Sequence, residues 1–207
     1  RANCLHQLCM ALEQLGVRRA HWLGYSMGAR VCLSLCAAQP ERVCSAVLVG
    51  GSAGIEDDVL RRRRVAEDRA LARRLSERGI EDFVEYWMAL PLFASQRRLG
   101  DAHWQSLREQ RLSNRAEALA ASLIGMGCGA MPPLHAALPA IDRPLCLVVG
   151  ESDTKFRVIA EVLQARLPRA ELAVVQGAGH AAHVERPQLF VSRVRQFYQR
   201  HVVLSGC

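Results

Sequence analysis

Four short runs of continuous apolar residues, each set between stretches of helical spacing, constrain this chain more than any other feature. They lie at residues 21–25, 46–50, 145–150 and 171–176. A strand with one wet face alternates apolar and polar side chains. Runs without alternation belong to a parallel sheet covered on both faces. The covers are predicted over 2–15, where Leu5, Leu8, Cys9 and Leu12 recur at helical spacing, and over 27–38, 156–167 and 187–200. Gly16 and Pro40 punctuate the first two helices. The expectation is an α/β fold with a mostly parallel sheet and helices on both faces.

Residues 53–142 interrupt this alternation with no strand pattern. The segment is helical and arginine-rich up to Gly79, apolar around Phe83 to Trp87, and Gly/Pro-rich after Gly125. An insertion of that size into an α/β core is predicted to be a helical cap or lid, with 1–52 and 143–207 forming the core.

Composition narrows the class. At 207 residues and 50% hydrophobic, the chain is long enough for a packed core and too apolar for disorder. No run of eighteen apolar residues suits a membrane helix, and residues 1–10 lack the order of a secretory signal. The net charge is +7, and every basic residue except Lys155 is arginine. That balance suits acidic small molecules or nucleic acid without choosing between them. The eight cysteines form no CxxC pair. They are read as small hydrophobes in a reduced interior, and no metal or cofactor motif is readable.

Gly24-Tyr25-Ser26-Met27-Gly28 matches G-x-S-x-G, the strained strand-to-helix turn that raises a serine hydroxyl. Glycines two before and two after are expected to let the turn close. A serine needs a base and a group that orients the base. Asp153 falls just past the third strand and His180 just past the fourth, the carboxyl ends where catalytic groups of a parallel sheet gather. The plainer reading is that Asp153 caps a helix and His180 is a loop histidine; His183 and Glu185 are nearby rivals. The order Ser, Asp, His is that of α/β-hydrolases.

Four blocks carry a more specific resemblance: residues 24–30 (GYSMGAR), 91–95 (PLFAS), 150–156 (GESDTKF) and 177–183 (GAGHAAH). They resemble the 2-succinyl-6-hydroxy-2,4-cyclohexadiene-1-carboxylate synthases of menaquinone biosynthesis, from the first helix to about Tyr198. Ala29 departs from the second glycine frequent there. The resemblance implies a lyase without a cofactor: a ring proton is abstracted and pyruvate leaves by 2,5-elimination. Ser26 would be the base, activated by His180 with Asp153 behind it, and Met27 N–H would be one oxyanion donor. The resemblance also implies Arg30, Arg64 and Arg111 as forks for substrate carboxylates, with Tyr25 and Trp87 lining the pocket. The expected partner is then a small anionic carboxylate, with no nucleic acid and no membrane. The expected compartment is the cytoplasm, with a plastid second, and the sequence does not set the oligomeric state.

Two alternatives accompany this reading. One is a serine hydrolase of esters or carbon–carbon bonds, which needs the triad but no arginine cluster. The other is a truncated, non-catalytic remnant. Only four strands are countable, and the chain opens inside the helix before the nucleophile strand. The N-terminal strands, and the loop giving a second oxyanion donor, are therefore expected to be absent. With its first strand left as an edge, the chain is expected to self-associate and to be a poor enzyme.

Overall fold

A computed structural model describes residues 2–201 of the chain. Helix α1 (Ala2–Gln14) buries Leu5, Cys9 and Leu12 and leads to strand β1 (Ala20–Tyr25). Helix α2 (Met27–Ala38) follows directly, then β2 (Val43–Val49). After the insertion come β3 (Leu145–Gly150), α6 (Thr154–Arg166) and β4 (Ala170–Val175). The short α7 (Ala182–Glu185) and α8 (Pro187–His201) close the described residues.

Among those residues the four strands form one sheet in the order β1-β2-β3-β4, every pair parallel. The expected parallel α/β architecture is the observed one, with strand limits shifted by a few residues at most. Val43–Val49 is longer than the apolar run 46–50 suggests, because Val43, Cys44 and Ser45 are buried too. Both central strands are buried at every position, as unalternating sequence requires. Helix α8 lays Phe190, Val194 and Phe197, spaced four and three apart, against Val47, Val49, Cys146 and Val148 of the sheet.

Chain packing divides the protein into two units, Arg1–Ala53 with Leu134–Cys207, and Gly54–Pro133. The ends of the insertion meet where Leu134 N–H donates to the Ala53 carbonyl at 2.8 Å. Within the second unit, α3 (Asp58–Met88) is capped by the Asp57 carboxylate, which accepts from Leu60 N–H. This span is two helical stretches that meet at a kink at Gly79, where the sequence reading ends its helical, arginine-rich stretch. Gly79 sits at φ 85°, outside helical space, so it breaks the ladder locally. The next turn still packs, because Phe83, Val84 and Met88 share an apolar cluster with Ala72 and Leu75. Arg74 spans the break with a two-pronged bond to Asp82 at 2.6 and 3.0 Å. Helices α4 (Asp101–Leu112) and α5 (Ala116–Met126) complete this unit.

Cysteines 4, 9, 32, 36, 128 and 146 are free. Burial pushes the Cys32 thiol up to about 11. Burial, aided by neighbouring Cys32 for Cys36 and by the Glu171 charge for Cys146, pushes those two up to about 12. They behave as the small hydrophobes the sequence suggests. Cys44 is the exception, since it is disulfide-bonded. Among the described residues no helix is long and apolar enough to cross a membrane.

Candidate active site

Ser26 stands between β1 and α2 at φ 50°, ψ −104°, and among the described residues it is the only non-glycine with positive φ. Such strain persists only where the surroundings enforce it. The Ser26 N–H is held by the Val49 carbonyl at 2.7 Å, which ties the turn to the end of β2. Gly24 is indispensable to the turn, for a Cβ there would lie 2.3 Å from the Gly28 carbonyl oxygen. Gly28 is a different case. Its own missing Cβ faces open space, so the second glycine of the motif is not a steric requirement in this chain.

The three triad residues meet as their order suggests. His180 Nε2 lies 3.1 Å from Ser26 Oγ, and His180 Nδ1 lies 2.7 Å from Asp153 Oδ2. With Nδ1–H donating to the carboxylate, Nε2 is left to accept the serine proton. His180 and Asp153 are only 2% and 7% exposed, so the two side chains meet largely shielded from water. Asp153 also realises the plainer reading: its other oxygen accepts from Phe156 N–H at 3.4 Å, capping α6. One carboxylate performs both tasks. The rival His183 packs against Tyr25 and Phe190, and burial, with the nearby His180, lowers its pKa.

The loops carrying Asp153 and His180 are stitched together. Ser152 N–H donates to the Ala178 carbonyl at 2.9 Å, and Gly177 N–H to the Glu151 carboxylate at 2.9 Å. Gly150 packs so tightly on the second loop that a Cβ would lie 2.1 Å from the Gly179 carbonyl oxygen.

Four further residues bear on His180. Gly50 leaves room for the imidazole, since a Cβ there would sit 2.7 Å from His180 Cε1, and its φ is +57°. The Phe156 ring lies 4.5 Å from the imidazole and the Tyr25 ring 5.2 Å, centroid to centroid. Glu185 accepts from the N–H groups of Gly179 and Ala181. Phe156 stands inside the quoted block at 150–156, which is the one signal that points to it.

The remaining candidates divide by unit. In the first, Arg30 stands one helical turn past Ser26, its N–H donating to the Ser26 carbonyl at 3.2 Å. Met27 opens α2, so its N–H is among those a helix leaves without an internal acceptor. In the second unit, Arg64 is half-buried while Arg62 and Arg63 are exposed, as a partly solvated charge run requires. Arg64 Nε donates to Asp68 at 2.8 Å, and that carboxylate is 5% exposed. Burial opposes the Arg64 charge, but the Asp68 bond and charge outweigh it and hold the pKa up.

Trp87 and Arg111 share Phe93, from the block at 91–95. Trp87 lies 5.7 Å from the Phe93 ring and also stacks on Phe83, so it is part of the packed apolar cluster. The Arg111 guanidinium lies 5.5 Å from that ring and donates to the buried Gln96 side chain at 3.1 Å.

The alpha/beta hydrolase family model matches residues 3–193. A Serratia proteamaculans protein named 2-succinyl-6-hydroxy-2,4-cyclohexadiene-1-carboxylate synthase is 30% identical over 192 residues, covering 92% of this chain and 72% of its own length. A Bacillus subtilis protein provisionally given the same name is 40% identical over 190 residues, with 92% and 69% covered. The structure of MenH from S. aureus superposes with a TM-score of 0.91 at 31% identity, over 95% of this chain and 74% of that one.

Proposed function

This chain belongs to the α/β-hydrolase family and, within it, to the 2-succinyl-6-hydroxy-2,4-cyclohexadiene-1-carboxylate synthases, lyases of menaquinone biosynthesis, and from that premise we propose how it works. The substrate is 2-succinyl-5-enolpyruvyl-6-hydroxy-3-cyclohexene-1-carboxylate. Ser26, its proton drawn toward His180 Nε2, takes the proton from ring carbon 2. The C–H electron pair becomes the ring double bond beside it, the existing double bond shifts, and the C–O bond to the side chain breaks. Pyruvate leaves as its enolate and is protonated. Asp153 holds the imidazole in the tautomer that accepts and balances its positive charge.

The observation that carries this reading is the relay itself, Ser26 to His180 at 3.1 Å and His180 to Asp153 at 2.7 Å, on a chain 40% identical to a relative of that name. No acyl-enzyme is needed, so the serine acts as a base. Arg30, Arg64 and Arg111 are the proposed partners of the substrate carboxylates, because a guanidinium pairs with them through two parallel bonds. Tyr25 and Trp87 are proposed as pocket walls and Met27 N–H as a donor to developing negative charge. The partner is thus a small anionic carboxylate, not a nucleic acid or a membrane.

The test is to supply the enolpyruvyl substrate and follow pyruvate and the cyclohexadiene product together. One-to-one release of both is expected. Turnover of a simple aryl ester, insensitive to Arg30→Ala and without pyruvate release from the ring substrate, would instead establish a hydrolase.

A further inference from the structure

Glu185 is a buried acid that the relay does not use. It is 6% exposed and ends the four-residue helix α7. Its carboxylate reaches back along the chain: Oε2 accepts from Gly179 N–H at 2.8 Å and Oε1 from Ala181 N–H at 3.2 Å. Those amides belong to the residues immediately before and after His180. One rigid carboxylate therefore grips the backbone on both sides of the histidine.

We propose that Glu185 is the positioning residue of His180, fixing the loop so that the imidazole spans Ser26 and Asp153. Only an ionised carboxylate offers two equivalent acceptors for this purpose. A glutamine would keep one bond and turn its NH₂ toward the other amide, leaving a buried N–H unsatisfied. The side walls of the ring come from Tyr25 and Phe156, and neither sets its reach along the loop. That reach decides the serine contact, and a misplacement of about 1 Å at such a contact costs about 10²-fold in rate.

The inference rests on the lyase reading for its kinetic arm alone. Glu185→Gln should lower kcat for pyruvate release by about 10- to 100-fold while KM stays within about twofold, because the substrate's binding groups are untouched. The second arm is independent of the reaction: the low-field proton of His180 Nδ1–H bound to Asp153, read by NMR. It should be sharp in the parent, and shifted or broadened in Glu185→Gln and further in Glu185→Ala. If the parent releases no pyruvate, the lyase reading fails and the resonance still decides the role of Glu185. A folded Glu185→Gln with parental kcat and an unmoved resonance would overturn the proposal. So would a variant that lost only melting temperature, which would mean that Glu185 merely supports the fold.

Discussion

A Cβ placed on Gly24 would lie 2.3 Å from the carbonyl oxygen of Gly28, while a Cβ on Gly28 would meet nothing within 4 Å. The two glycines of one motif therefore have unequal duties. Gly24→Ala forces the backbone of α2 away from β1 and moves Ser26 with it, so pyruvate release should fall by at least about 10²-fold. Gly28→Ala puts a better helix former inside α2 and should leave stability equal or up to about 1 kcal/mol higher. Parallel melting curves and rates decide the matter. Equal damage from both substitutions would contradict the steric account.

Gly50 makes a second steric prediction. Gly50→Ala places a methyl 2.7 Å from His180 Cε1 at a backbone φ of +57°, so the imidazole must retreat. The Ser26–His180 contact should lengthen and kcat should drop by about 10²-fold. A crystal structure of the variant with the 3.1 Å contact intact would contradict this.

The arginine run should separate by burial. Arg62→Ala and Arg63→Ala change exposed side chains and should stay within about 0.5 kcal/mol of the parent in stability. Arg64→Ala removes the partner of the Asp68 carboxylate, which is 5% exposed, and should cost about 1–3 kcal/mol in denaturant unfolding. Arg64→Ala should also weaken substrate handling, as should Arg30→Ala and Arg111→Ala, each by about 1.5–3 kcal/mol in kcat/KM. Uniform effects across the run would indicate a general electrostatic face.

How much of this was open to sequence reading follows from the kind of interaction involved. The parallel sheet is legible because a strand buried on both faces, such as β2, has nowhere to place a polar alternation. Ser26, Asp153 and His180 are legible because each lies within a few residues of a strand's carboxyl end in a sheet that gathers such ends together. Gly50 and Glu185 are not. Gly50 acts on His180 only through space, by an atom it lacks, and Glu185 works on two backbone amides that no motif encodes. The break at Gly79 is legible because a glycine there takes a positive φ that helical backbone does not allow.

The buried thiols imply a pH dependence with a definite sign. Cys32, Cys36 and Cys146 have folded-state values near 11, 12 and 12 against 9.0 when unperturbed. Only the unfolded chain releases these protons between 9.0 and those values. Their contribution is therefore whole below pH 9.0 and is lost as pH rises toward 12. The denaturant midpoint should fall between about pH 8 and about pH 10.5, and fall less in a Cys36→Ala, Cys146→Ala double variant. Identical slopes in parent and variant would show that other groups govern alkaline stability.

The central claim is that Ser26 is the base of an elimination. Its most direct measurement is pyruvate release from the enolpyruvyl substrate by Ser26→Ala, with substrate binding followed separately by calorimetry. The account predicts binding close to parental and a rate lower by about 10²–10⁴-fold, the usual loss when a positioned base is removed. A Ser26→Ala variant that releases pyruvate at the parental rate would contradict it.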